Sequence, residues 1–184
     1  MVPTVPKPFP GLKSDFRAAM NGIASQRMRE AGMSFHVIFG IELPRLREIL
    51  SEYAQDRAMA QELWHENVRE SRLAAILLTP PQDYLAEVAD IWVNELRTQE
   101  EASLLAMTLV RPQRWACDYA FRWLASGNEL PMLCGLYTLC HLLRGGAKLM
   151  PDSEAELRDH LEAIPQTASI MLRKAAQSVA YCLE

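Results

Sequence analysis

Trp115 and Asp118 lie three residues apart in the segment Trp115-Ala116-Cys117-Asp118. In a helix this spacing places both side chains on one face. An aromatic ring attracts a cation, and a carboxylate stabilises positive charge that develops on a sugar. The pair therefore suits chemistry on a cationic base attached to a sugar. The alternative is a core Trp beside a surface Asp, a combination that any long helical protein produces.

Two other segments resemble chemical motifs but lack a required residue. His65-Glu66 begins a zinc-protease pattern that needs a second His one turn later, and position 69 is Arg. Gly145-Gly146-Ala147-Lys148 lacks the spacing and the preceding strand of a phosphate-binding loop. We therefore expect no cofactor and no metal. The cysteines form no Cys-x-x-Cys pair and are predicted to be reduced, buried thiols: Cys117, Cys134, Cys140 and Cys182.

Basic residues are in slight excess within residues 97–148, which contain six basic and four acidic side chains. In a repeat protein such residues can line one surface and meet the phosphates of a nucleic acid. The alternative is an ordinary solvated helix face, which the overall acidity of the chain favours. The candidate nucleic-acid-binding residues are Arg111, Arg114, Arg144, Lys148, Arg173 and Lys174.

The length of 184 residues and the net charge of −4 fit one domain that is not strongly basic. Four of the eleven prolines fall in the first ten residues. We therefore predict a mobile Pro-rich arm at residues 1–12 and a single helical-repeat domain at residues 13–184. Signal-peptide features and apolar runs of about 20 residues are missing. These features predict a cytoplasmic protein without a membrane partner.

Prolines, glycines and capping patterns divide the sequence into helices. Sustained alternation of apolar and polar residues is absent, so no strands are predicted. The first helix is predicted to run from Ser14 to about Ala31. Capping boxes are predicted to begin two later helices, and prolines to occupy the first turn of two others. These positions are Thr98 and Ser153 for the capping boxes, and Pro44 and Pro81 for the first turns.

Three tryptophans, Trp64, Trp92 and Trp123, recur at intervals of about 30 residues. Each precedes a break and then a helix rich in Ala and Leu. A helix pair cannot bury its apolar face alone, so neighbouring pairs must stack. The sequence therefore predicts an all-α fold, an α-solenoid or superhelix of four or five HEAT-like helix pairs, with these tryptophans buried. A compact bundle without repeats is the competing fold.

Several segments resemble the AlkD-like DNA alkylation repair family. Residues 39–47, Phe-Gly-Ile-Glu-Leu-Pro-Arg-Leu-Arg, resemble its Gly-hydrophobic-x-x-Pro-x-Leu-Arg segment. Leu63-Trp64 followed by Glu70 and Arg72 resembles its Leu-Trp…Glu-x-Arg helix, and Arg173-Lys174-Ala175 resembles its closing helix. The resemblance spans about residues 31–183. It implies stacked helix pairs, contact with double-stranded DNA, and, for an active member, a DNA glycosylase that excises alkylated purines.

The resemblance implies an excision site made of an Asn-Trp, an acidic residue one turn later and an Arg from the next helix pair. Residues 97–101 contain no aromatic side chain, and only Glu101 could replace the carboxylate. A shifted alignment offers Trp115 and Asp118 without the Asn. Residues 131–134, where the Arg is expected, are Pro-Met-Leu-Cys. The candidate catalytic residues are thus Trp115, Asp118 and Glu101.

We interpret the chain as a short, divergent and bacterial member of this family that takes part in DNA repair. Nucleic-acid binding is compatible with the sequence, whereas the excision chemistry is expected to be lost or altered. The alternative is a scaffold for a protein partner, because helical repeats present broad concave surfaces. Salt-dependent binding of DNA would distinguish the two hypotheses.

Overall fold

A computed structural model describes residues 6–184 of the chain. The described residues form helices and connecting turns without any strand, and one isolated β-bridge joins Val37 to Val68. They fall into two compact units, one ending at Asp83 and one beginning at Tyr84. The all-α prediction is confirmed. The start of the proposed mobile arm lies outside the described residues, and the arm and the single domain stay predictions.

The first unit contains five α-helices and two short 3-10 turns. Pro44 occupies the first turn of its helix, as predicted. Pro81 begins a 3-10 turn instead of the α-helix that the sequence predicted. The helices are α1 Leu12–Ala18, α2 Gly22–Glu30, α3 Leu43–Leu50, α4 Arg57–His65 and α5 Arg69–Leu78, and the 3-10 turns are Phe9–Gly11 and Pro81–Asp83.

The single helix predicted from Ser14 to Ala31 is wrong. The helix begins earlier, at Leu12, and a break divides it at Asn21. The Asn21 side chain caps α2 by accepting a hydrogen bond from the amide of Ala24 at 3.1 Å. The Asn21 amide donates to the carbonyl of Phe39 at 2.9 Å. Asn competes with helical hydrogen bonding in this way, and a tertiary contact completes the break.

Charged side chains at the start of α5 are buried and hold the connector between α2 and α3. The Glu70 carboxylate accepts hydrogen bonds from the amides of Phe39, Gly40 and Ile41 at 3.0, 3.0 and 3.3 Å. Arg69 donates to the same carboxylate at 2.8 Å and to the carbonyl of Ile41 at 2.9 Å. A buried charge is tolerated when it is paired and hydrogen-bonded in this way.

Trp64 belongs to the same core and is fully buried. The Arg72 guanidinium lies 3.7 Å from the centre of a Trp64 ring and donates to the Trp64 carbonyl at 2.9 Å. The Glu-x-Arg pattern of the family segment is therefore structural here. Arg72 joins α5 to α4, and Glu70 joins α5 to the connector between α2 and α3.

The second unit contains six α-helices and a π-helical turn. The capping box at Thr98 is confirmed, and Glu101 completes it. The capping box predicted at Ser153 is wrong, because the helix begins at Pro151, whose fixed φ suits a first turn. The helices are α6 Ala86–Asn94, α7 Gln99–Leu105, α8 Ala116–Leu124, α9 Glu129–Arg144, α10 Pro151–Glu162 and α11 Ile170–Ala180, and the π-helix is Ala106–Val110.

Helix α9 is the centre of the second unit and packs against α6, α7, α8 and α11. Gly135 permits a close approach of α9 to α8, since a Cβ there would lie 2.6 Å from the carbonyl oxygen of Ala120. Trp92 and Trp123 are both buried in this unit, at 4% and 2% exposure. The prediction that the three recurring tryptophans are buried is therefore confirmed. No helix in the described residues is both long and apolar enough to cross a membrane.

Candidate nucleic-acid interface

Trp115 is the residue before α8 and is half-buried within a row of aromatic rings. Its ring centre lies 5.1 Å from that of Tyr119 and 6.3 Å from that of Tyr84. The row continues from Tyr84 to Trp92 at 5.5 Å and from Tyr119 to Trp123 at 5.8 Å. Tilted and edge-to-face pairs of this kind stabilise a core. Trp115 is therefore packed against other rings rather than presented alone.

Asp118 is exposed in the first turn of α8, where the helix dipole favours a negative charge. Its carboxylate has no hydrogen-bond or ion-pair partner in the described part of the chain. Nothing therefore fixes its position relative to the Trp115 ring. A catalytic carboxylate needs a preorganised position, so the geometry matches the alternative interpretation of a packed Trp beside a surface Asp.

Glu101 is buried at 1% exposure and its carboxylate caps α7. One carboxylate oxygen accepts hydrogen bonds from the backbone amides of Arg97 at 2.7 Å and Thr98 at 3.1 Å. The Thr98 hydroxyl in turn accepts from the Glu101 amide at 3.2 Å. This carboxylate therefore already has a structural role, although Glu101 is the residue that could replace the carboxylate implied by the resemblance.

The region expected to supply an Arg lies in the first turns of α9. Pro131, Leu133 and Cys134 are buried there and pack in the core of the second unit. Burial raises the pKa of the Cys134 thiol, which is consistent with an apolar surrounding. This part of α9 therefore contributes to packing and offers no cation to a ligand.

The six candidate nucleic-acid-binding residues are all exposed. Arg111, Arg114, Arg144 and Lys148 have no carboxylate partner among the described residues. Two other cations of the second unit are paired: Arg122 lies 3.4 Å from the Asp90 carboxylate, and Arg158 lies 2.8 Å from that of Glu154. The first four cations are exposed and unpaired in the described structure, which is the arrangement that a polyanion needs.

Arg111 and Arg144 both lie near the carboxyl end of α9. The Arg111 Nη2 atom lies 3.6 Å from the position that a Cβ of Gly145 would occupy. His141, one turn before Gly145, is half-buried and is close enough to both arginines for their charges to act on it. Burial lowers the pKa of His141, and the positive charges of Arg111 and Arg144 lower it further. The carboxyl end of α9 therefore carries a local concentration of positive charge that no acidic group in the described part of the chain neutralises.

The remaining basic candidates follow α9 in the sequence. Lys148 is in the connector after α9, and Lys174 is on the exposed face of α11, which packs against α9. Arg173 differs, because its Nε atom donates to the carbonyl of Ala168 at 3.2 Å. Arg173 thus stabilises the start of α11, and Lys174 remains unpaired among the described side chains.

Asp90 connects two helices through contacts that the sequence patterns did not predict. Its carboxylate accepts a hydrogen bond from the indole of Trp123 at 3.0 Å and pairs with Arg122. The Arg122 guanidinium also lies 5.5 Å from the Tyr119 ring. These partners belong to α6 and α8, so no i, i+3 or i, i+4 spacing could reveal them. The described residues contain no cluster of three or more metal ligands.

Comparisons with known proteins agree with the helical architecture. A solved structure described as "a new family of proteins related to the HEAT-like repeat DNA glycosylases with affinity for branched DNA structures" matches with a TM-score of 0.78. The two sequences are 21% identical, and the match covers 96% of this chain and 76% of the other. This likeness confirms the predicted fold of HEAT-like helix pairs. None of the curated proteins compared matches the chain.

The sequence also matches the family described as "DNA alkylation repair enzyme" over residues 12–178. The match extends through both compact units and includes the segments around Gly40, Glu70 and Trp64 that suggested the resemblance. It therefore confirms the resemblance inferred from those residues. The chain belongs to the DNA alkylation repair enzyme family.

Proposed function

We propose that this protein binds DNA through phosphate contacts at the unpaired cations of its second unit, with Arg111 and Arg144 at the centre. The observation that supports this function is that both arginines act on His141 at the carboxyl end of α9, and neither has an acidic partner among the described residues. Arginine side chains bind phosphate through planar, charge-assisted hydrogen bonds. We assign the exposed side chains of Lys148, Lys174 and Arg114 to the same proposed binding surface.

The probe suggested by the comparisons is branched DNA, because affinity for such structures is stated for the matched structure. The experiment measures fluorescence anisotropy of a labelled four-way junction and of a duplex of equal length. Affinity should fall steeply as NaCl rises from about 50 to 200 mM, because phosphate contacts release counterions. The double variant R144E/K148E should lose most of the binding.

The matched control is R122E/R158E, which changes the net charge by the same amount. Both control residues are exposed and already paired with carboxylates, so this variant should bind nearly as well as the native protein. Equal losses in the two variants would show a general charge effect instead of a defined surface. Unchanged affinity of R144E/K148E would contradict the proposal.

We further propose that base excision is lost or altered in this member. Excision of a cationic base requires an aromatic platform and a carboxylate that are held together. Here Trp115 is packed among rings, Asp118 has no partner among residues 6–184, and Glu101 caps a helix. The assay is release of methylated purine from alkylated DNA, and release should not exceed the spontaneous rate.

A second candidate function is the binding of a protein partner. It is favoured by exposed apolar side chains on and after α11, where Ile170 and Tyr181 are 61% and 64% exposed. Exposed apolar surface of this kind is a feature of many partner-binding sites. This candidate predicts that DNA affinity stays weak even at low salt and that I170D/Y181D leaves DNA binding unchanged.

A further inference from the structure

Cys140 and Cys182 lie together although they are distant in the sequence. Cys140 is near the end of α9, and Cys182 follows the end of α11. The Cys182 sulfur lies 3.2 Å from the carbonyl oxygen of Ser178, and the Cys140 sulfur lies 3.9 Å from the same oxygen. Both sulfurs therefore lie beside one carbonyl oxygen, and the two thiols are near enough to influence each other's ionisation. The packing of α11 on α9 therefore creates a dithiol.

The two thiols differ in access to solvent. Cys140 is 6% exposed, whereas Cys182 is half-buried in the turn that closes the helix. Burial and the neighbouring Cys182 raise the pKa of Cys140, and the charge of Arg144 opposes this shift. An external reagent therefore reaches Cys182 first, because thiol reactivity requires access as well as ionisation. Cys140 is positioned to react second.

We propose that Cys140 and Cys182 are a redox-active pair that a low-molecular-weight disulfide, such as glutathione disulfide, converts into an intramolecular disulfide. The Cys182 thiolate attacks one sulfur of glutathione disulfide, forms a mixed disulfide and releases one glutathione thiolate. Cys140 then attacks the Cys182 sulfur and releases the second glutathione, and its proton passes to that leaving thiolate. The protein loses two hydrogens, and two molecules of glutathione are formed.

The other cysteines provide internal controls. Cys117 is half-buried and Cys134 is fully buried, and neither has a second thiol as a partner. The position of Cys182 beyond the last helical residue allows its backbone to adjust to the geometry of a disulfide. The bond would tie the end of α11 to α9 one turn before Arg144.

The experiment incubates the folded full chain with glutathione disulfide, blocks the remaining thiols and maps tryptic peptides by mass spectrometry. Cys134→Ala is the working background, because cleavage at Arg122 and Arg144 otherwise leaves Cys134 and Cys140 in one peptide. We expect a linked peptide that contains Cys140 and Cys182, a mass loss of two hydrogens and no retained glutathione. Cys117→Ser should leave this product unchanged, whereas Cys140→Ser should trap a mixed disulfide on Cys182.

Two results would overturn the proposal. One is that Cys182 retains glutathione and no linked peptide forms in the folded chain that still contains Cys140. The other is linkage of Cys182 to Cys117 as often as to Cys140. The same reaction in urea is the control for the role of the fold. The preference of Cys182 for Cys140 over Cys117 should disappear when the chain unfolds. If selectivity were equal in the folded and unfolded chain, the packing of α11 on α9 would not be its cause.

Discussion

The Glu70 carboxylate accepts a hydrogen bond from the backbone amide of Gly40 at 3.0 Å, although thirty residues separate them. The amides of Phe39 and Ile41 bind the same carboxylate, and Arg69 neutralises it. All of these groups except Phe39 are fully buried. A single side chain on α5 therefore accepts the hydrogen bonds of three backbone amides that have no helix or strand partner.

The first prediction concerns this contact. Glu70→Ala leaves Arg69 buried without its carboxylate and three amides without an acceptor, and breaking a buried pair in this way costs about 3–5 kcal/mol. The free energy of unfolding, measured in urea, should fall by this amount. Glu48→Ala is the control, because its pair with Arg45 is exposed, and it should change stability by less than about 0.5 kcal/mol. Similar small losses in both variants would show that the buried pair is not stabilising.

The second prediction concerns Gly40, whose φ is +76°. A Cβ at this position would collide with the Asn21 carbonyl oxygen and the Ser25 amide. Gly40→Ala should therefore destabilise the protein by more than the roughly 1–2 kcal/mol that a left-handed conformation costs an L-residue. Gly32→Ala is the matched control, since Gly32 has φ +93° and open space around it. If thermal melting shows equal losses for both, the close approach to Asn21 contributes nothing.

The third prediction concerns the number of phosphates bound at the carboxyl end of α9. Each lost phosphate contact lowers the slope of log K against log salt by about 0.9 for duplex DNA. Arg111→Gln and Arg144→Gln should each reduce the slope by about this amount, and the double variant by about twice as much. Titrations at several salt concentrations measure the slope. Weaker binding with an unchanged slope would contradict direct phosphate contact.

The fourth prediction concerns His141. Its pKa lies below the ordinary value of 6.5 because of burial and of the charges of Arg111 and Arg144. The unfolded chain therefore binds this proton more readily, so stability is lost as the pH falls below 6.5 and the loss ends below the folded pKa. Arg144→Gln should raise the pKa of His141, as measured by NMR titration of the imidazole. Bound DNA should raise it too, because phosphate neutralises the arginines.

A lower pKa of His141 in either case would contradict the proposed cluster. The unpaired Lys174 provides a control variant, Lys174→Gln, because it is not among the groups that shift His141. That variant should leave the NMR titration of His141 unchanged.

The fifth prediction concerns excision. If release of a methylated purine does exceed the spontaneous rate, Asp118→Asn should abolish it and leave the fold intact, because Asp118 is exposed and unpaired in the described structure. Glu101→Gln should be mild for folding, since Gln also completes a capping box. Loss of release in Glu101→Gln alone would assign the chemistry to the other alignment. Robust release that Asp118→Asn abolishes would restore the enzyme hypothesis.

The sequence predicted the elements whose signals are local. The capping box at Thr98, the first-turn Pro44 and the burial of Trp64, Trp92 and Trp123 all depend on neighbouring residues or helical periodicity. The break at Asn21 was missed because it is completed by a hydrogen bond to Phe39. Local propensity alone could not indicate that contact.

The candidate site was predictable only in part. Residue type identified the exposed cations, but their lack of partners depends on where the carboxylates of Asp90 and Glu154 lie. The spacing of Trp115 and Asp118 predicted a shared helix face, whereas α8 begins after Trp115 and the ring packs on Tyr84 and Tyr119. The Cys140 and Cys182 pair has no signature in the sequence, because two helices must pack to form it.

The π-helix at Ala106–Val110 determines the direction in which the chain leaves α7. Its wider turn is visible in the hydrogen bond from the Arg111 amide to the Ala106 carbonyl, five residues earlier, at 2.9 Å. Such a turn is equivalent to one residue inserted into an α-helix. Each residue rotates an α-helix by about 100°. Deleting one residue here would restore a regular helix and turn Arg111 away from Gly145, so the orientation of this guanidinium depends on a change of helical register.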